Sequence, residues 1–158
     1  MSSPYEEILN GGAVLRSPPD ARHELLCARL HGLVAAGLGN FSGARLLPPR
    51  TRVQLDWKNS VCPDLALVTA ATGKLWLAAE IIGRDDHRWD TVTKKEIYET
   101  LALPRLWMVD PRYDNVEIYH GSPHGLKLHG SLAGRGQLTE TLLPDFGPTI
   151  EELFKTII

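Results

Sequence analysis

Asp64 opens the apolar run "PDLALVTA", and Glu80 stands near the end of "LWLAAEIIG" with apolar residues on both sides. A carboxylate without a partner in such a setting is costly to desolvate. A polar Thr-Gly-Lys break separates the two runs, which is the pattern of a β-hairpin. With the turn centred on Thr72, Asp64 faces Glu80 across the ladder and Ala66 faces Ala78. Facing Cβ atoms lie about 4.5–5.5 Å apart, where like charges repel. A shared proton, a cation for each acid, or one metal between them would relieve the repulsion. Mg²⁺ favours one or two carboxylates, with water and substrate phosphate completing its shell. From the hairpin alone, two solvated acids at the mouth of a sheet remain the first explanation.

The next segment, "DDHRWDTVTKKEIYETLALP", reads as a helix that stops before Pro104. At about 100° per residue, Asp90, Lys94, Ile97, Tyr98 and Leu101 share one stripe. Ile97 and Leu101 turn that stripe to the core, so Lys94 leans toward the sheet and the two acids, while Lys95 faces solvent. An i,i+4 pair between Asp90 and Lys94 is the plainer use of the lysine, and both uses are compatible.

These residues need a frame to hold them. The chain has 158 residues, 43% hydrophobic and 23% charged, which predicts a single globular domain over 1–158. "SPPDARHELLCARLHGLVAAGL" predicts a first helix, with Leu25, Leu26, Leu30 and Leu33 inward and an end near Gly37 or Gly39. "LLPPRTRVQLDW" runs from loop to strand, with Val53 and Leu55 inward. "RLWMVDPRYDNVEIYH" supplies two strands around an Asp-Pro turn, with weaker strands expected at Leu126–Leu128 and Gln137–Leu142. "TIEELFKTI" is a last helix with Thr149 as N-cap and Glu152 three residues on. The order predicts an α/β (α+β) fold: a mixed β-sheet flanked by α-helices.

Composition narrows the function classes. A net charge of −2 lacks the global basic signature of a nucleic-acid binder, so any such contact needs a local patch. Arg84, Arg88, Lys94 and Lys95 are candidates, although such a cluster is also what a solvated face looks like. No run is long and uncharged enough for a membrane span, and the N-terminus lacks the order of a signal peptide, so no membrane partner and a cytoplasmic location are expected. Cys27 and Cys62 lack zinc-ligand spacing and are expected as free thiols. His120, His124 and His129 also lack ligand spacing. Trp76, Trp89 and Trp107 are expected in packing, and Glu24 on a helix surface.

"CPDLALV", "AAEIIG" and "DTVTKKEIYETLALPRLWMVDP" together resemble the Uma family of restriction-endonuclease-like domains, within the PD-(D/E)xK nuclease superfamily. The family shows a Pro-Asp opening one strand, an acid near the end of the next, and a Lys and Tyr one turn apart on the following helix. Pro63-Asp64, Glu80, Lys94 and Tyr98 match that order. "EILNGG", with Glu7 at the acidic position, "SPPDARH", ending at His23, and "LPDFGPTIEELF" resemble further family segments. Two positions depart: the superfamily lysine would fall at Ile82, so the resemblance implies that Lys94 replaces it, and Gly83 stands where the family commonly has Ser.

The resemblance implies a restriction-endonuclease-like fold and a metal-dependent endonuclease acting on DNA. Asp64 and Glu80 would hold Mg²⁺ or Mn²⁺, with the Ile81 carbonyl as a further oxygen. Lys94 would orient water or donate to the transition state, and Arg84 and Arg88 would contact phosphates. Glu7, His23 and Tyr98 become accessory candidates, though a capping or surface histidine explains His23 equally. Superfamily members commonly pair, so a homodimer is expected, with "LWMV" and the late strands as its surface. Two other functions fit the same residues: an inactive nuclease-fold module binding nucleic acid or protein, and a phosphatase or nucleotide hydrolase.

Overall fold

The computed structural model describes residues 3–84 and 87–155. Asp85 and Asp86, at the start of the expected second helix, and Thr156 and Ile157, at the end of the last, lie outside the described residues.

The apolar runs of the sequence build a six-stranded sheet in the order β10-β9-β8-β7-β6-β3. Its strands are β3 (Ala44–Leu46), β6 (Leu65–Thr69), β7 (Leu75–Ile81), β8 (Arg105–Asp110), β9 (Asn115–Ser122) and β10 (Gly125–Ala133). β7 and β8 run parallel and the other pairs antiparallel, so the sheet is mixed as expected. A parallel pair requires a crossover connection. The chain supplies one as a π-helical segment, Trp89–Lys94, continuing into α2 (Lys95–Thr100).

A second, antiparallel sheet has the order β2-β1-β5-β4, from β1 (Tyr5–Leu9), β2 (Gly12–Arg16), β4 (Val53–Asp56) and β5 (Asn59–Val61). The alternation of β7 explains the layering. Leu77, Ala79 and Ile81 join a core with α1 (Ala21–Leu38) and α3 (Ile150–Phe154). Ala78 and Ile82 join a second core with Ile97, Tyr98, Leu9 and Val61. Glu80 shares the parity of Ala78 and Ile82, and so faces the crossover helix and the small sheet.

Several expectations are corrected. Leu106 to Val109, the "LWMV" offered as a dimer surface, lie at the sheet centre at 3% exposure or less and are closed to a partner. Leu101 caps α2 rather than continuing its buried stripe and is exposed, as is Leu25 on α1. Lys95 is half-buried over the Tyr119 ring rather than facing solvent. Residues 137–142 form no strand, only isolated bridges at Gln137 and Glu140. Asp20 caps α1, and Gly39 ends it, as expected of one of the two glycines there. Thr149 and Glu152 form the expected capping box, and both cysteines are free and buried. Among the described residues no helix is long and apolar enough to cross a membrane.

Candidate active site

Asp64 immediately precedes β6, and the hairpin register Leu65↔Ala79, Ala66↔Ala78 carries it to the level of Glu80. Its carboxylate reaches β7: Oδ2 accepts from the Ile81 N–H at 2.8 Å. Oδ1 lies 2.8 Å from His23 Nε2 on α1 and 3.1 Å from Arg50 Nη1. Two further α1 side chains fasten its backbone carbonyl, the His31 ring at 2.7 Å and the Cys27 thiol at 3.5 Å. Ile81, expected as a carbonyl ligand, is joined to Asp64 through its amide.

Glu80 is buried at 2% exposure. Lys94 Nζ lies 2.9 Å from Oε1 and 2.8 Å from Oε2, and the Tyr98 hydroxyl donates to Oε2 at 2.6 Å. The predicted inward lysine is therefore real, and deeper than expected, with no exposed surface. The same ammonium reaches Glu7 Oε2 at 2.7 Å. Glu7 also accepts from the Cys62 N–H at 2.7 Å and from Arg16 at 2.7 Å. Arg16 continues to Asp90 Oδ1 at 3.0 Å, and Asp90 Oδ2 takes the Gly83 N–H at 3.1 Å. Asp90 thus pairs with Arg16 in the second sheet, in addition to any i,i+4 attraction to Lys94.

Four buried acids, Glu7, Asp64, Glu80 and Asp90, face Arg16, Lys94 and Arg50. Their titration separates them. Burial pushes the Glu80 carboxyl up to about 8, with Asp90, Glu7 and Asp64 adding to the effect against the pull of Lys94. Burial likewise raises Asp90 despite Lys94 and Arg16. Burial alone would raise Asp64, but the His23 hydrogen bond and charge, the Ile81 amide and Lys94 outweigh it and hold it below its ordinary value. Burial would lower His23, yet Asp64 wins and raises it.

A cleft of about 470 Å³ opens beside this cluster, with Arg22, His23, Ile82, Arg84 and Arg112 among its walls. Arg22 pairs with Asp114 at 2.7 Å, and Arg112 grips Asp110 through two bonds, at 3.0 and 2.9 Å. Arg84 is exposed on the cleft wall, whereas Arg88, also exposed, does not line it. A groove of about 500 Å³ on the other side reaches the cluster only at Tyr98.

Asp64, Glu80, Lys94, Tyr98, Glu7 and His23 are thus brought together, and Arg84 lies beside them. Sequence reasoning missed Arg16, His31 and Arg50. Asp64 and Glu80 are carboxylates, the donor type that a hard divalent ion takes. The carboxylates currently spend their oxygens on protein donors. Among the described residues no group of three or more His, Cys, Asp or Glu stands ready to hold a metal.

A mixed sheet with a Pro-Asp strand, a Glu strand and an inward lysine on the crossover resembles the nuclease-like proteins of the PD-(D/E)xK-related restriction-endonuclease superfamily. The family model described as "Uma2: Putative restriction endonuclease" matches residues 3–151, and the chain belongs to that family. The fold is similar to the crystal structure of "a putative nuclease belonging to DUF820" from Anabaena variabilis ATCC 29413. That likeness has a TM-score of 0.80 at 14% identity, over 96% of this chain and 90% of that one. At this identity it is a likeness of fold. No curated protein matches the chain.

Proposed function

We propose that the protein is a divalent-metal-dependent nuclease hydrolysing DNA phosphodiester bonds at Asp64 and Glu80. The observation that carries this reading is the pairing of two buried acids at one level of the hairpin, Asp64 and Glu80, each held in place by donors from the surrounding elements. Mg²⁺ or Mn²⁺ would be held by Asp64 and Glu80 with the Ile81 carbonyl. Such an ion supplies Lewis-acid activation of water and neutralises charge on a phosphodiester. Lys94 and Tyr98 orient Glu80, while the Ile81 amide and His23 orient Asp64. Arg84 binds a backbone phosphate in the cleft, positioning DNA without reading sequence. Plasmid and single-stranded DNA incubated with Mg²⁺ or Mn²⁺ test the reading. Cleavage should appear and be lost in Asp64→Asn and Glu80→Gln, and cleavage unchanged in either variant removes this site as its source.

A second reading, an inactive nuclease-fold module, is favoured by the saturation of Lys94, whose bonds all go to Glu7 and Glu80. On that reading the cluster is a structural ion network. It expects no DNA cleavage and no rise in melting temperature with Mn²⁺, so a rise of several degrees that vanishes in Asp64→Asn counts against it.

A further inference from the structure

The cations around the four acids are not equivalent. Lys94 and Arg16 have side chains 0% and 3% exposed, and each bridges two acids from different elements. Arg50 is different in three respects. Its side chain is 18% exposed, so part of it already meets water. It sits in a loop, at the turn Pro48–Thr51, which the Thr51 N–H closes onto the Pro48 carbonyl at 3.2 Å. Its guanidinium spans two carboxylates, reaching Asp64 Oδ1 at 3.1 Å and Glu24 Oε1 at 2.5 Å, and Glu24 is 37% exposed at the protein surface.

The backbone shows that this placement is maintained against a cost. Arg50 follows Pro49 at the turn position that glycine or asparagine normally fills, and its φ is 55°. A bulky non-glycine residue in the left-handed region is held under backbone strain. The Arg50 N–H donates to the Pro63 carbonyl at 3.0 Å, tying the strained residue to the one directly before Asp64. The side chain placed by this turn is the one that reaches Asp64.

We propose that Arg50 is a built-in counter-ion that competes with a divalent cation for Asp64. Arg50 and His23 both occupy Oδ1, and the Ile81 amide takes one side of Oδ2. A metal approaching Asp64 meets the positive charge of Arg50 at short range, where like charges in a partly buried setting repel strongly. Arg50 then shifts its weight to Glu24, which already holds its other amino group, so the guanidinium is handed over rather than left unpaired. Arg50 is a positioning residue on this account: it holds Asp64 while the metal is away and sets how much cation is needed to displace it.

The inference rests on the metal reading of Asp64, and the experiment separates the two. Mn²⁺ binding to the full chain is measured by the loss of the free-ion electron paramagnetic resonance signal, in wild type, Asp64→Asn, Arg50→Gln, Arg50→Lys and Arg50→Gln/Asp64→Asn. Melting without metal verifies that each is folded. Arg50→Gln should bind Mn²⁺ at least tenfold more tightly than wild type. Arg50→Lys, which keeps the charge, should stay near wild type, and the double variant should lose the gain. Equal or weaker binding in Arg50→Gln, with wild-type binding still dependent on Asp64, overturns the competition and leaves the metal site standing. No Asp64-dependent binding in any variant overturns both.

Discussion

A lysine with no exposed surface persists in a core only when its charge and its three N–H groups are all answered. Lys94 meets that condition through Glu7 and Glu80, on β1 and β7. Lys94→Met should therefore cost about 3–5 kcal/mol, because it leaves Glu80 without its cation and Glu7 with Arg16 alone. Adding Glu80→Gln to Lys94→Met should recover part of the loss, and urea unfolding of the single and double variants measures the coupling. Glu7 sets a pH dependence. Burial alone would raise its carboxyl, but Lys94, the Cys62 amide and Arg16 outweigh that and hold it below the usual 4.5. A lowered folded value means the unfolded chain takes up protons first. The contribution of Glu7 is thus complete above about 4.5 and is lost as pH falls through its depressed folded value. Glu7→Gln should lower the melting temperature at pH 7 and flatten its decline below pH 4.5.

The crossover element shows how helix ends and irregular turns serve the site. Asp90 and Lys94 both lie in the π-helical segment, and both point inward. α2 then stops in a Schellman arrangement: the Leu103 N–H bonds the Tyr98 carbonyl and the Ala102 N–H bonds the Glu99 carbonyl, with Ala102 at φ 55°. Ala102→Gly relieves that conformation and should stabilise the protein by about 0.4–1 kcal/mol, read as a higher denaturation midpoint. The boundary was legible as the stop before Pro104, and the inward face as the recurrence of Asp90, Lys94, Ile97 and Tyr98. The hairpin was legible too, through a compensation. Val68 pairs with Leu75, half a residue off a turn centred on Thr72, and the bulge at Trp76 restores the register that carries Asp64 to Glu80. β1, β2, β3 and β5 were not read. They are three to five residues long, and two of them begin in the Glu-rich and Gly-rich N-terminus, where no alternation is long enough to register.

At the scale of the molecule, the cluster joins the two sheets alongside the apolar core they share: Glu7 and Arg16 come from one, Glu80 from the other, and Lys94 and Asp90 from the helix between. Arg16 and Arg50 escaped sequence reasoning because no periodicity or motif connects them to their partners, 9 and 74 positions from Arg16 and 14 and 26 from Arg50. The cleft's charge is local, since the whole chain carries −2. If Arg84 binds one backbone phosphate, Arg84→Ala should weaken DNA binding and reduce the slope of log K against log salt by about 0.7–0.9. Fluorescence anisotropy with a labelled oligonucleotide at several salt concentrations measures both.

The order in which the chain leaves the ribosome gives the cluster a history. Glu7, Asp64 and Glu80 all emerge before Lys94, and Arg16 emerges long before Asp90. Until residue 94 is available, closing the small sheet onto the large one would bury Glu7 and Glu80 without their shared cation. The nascent chain therefore gains by keeping these acids hydrated, and the sheets can close at low electrostatic cost only once the crossover helix has been made. By this electrostatic account the small sheet, which begins at the fifth residue, gains its full reason to close on the large one only after residue 94 has been made.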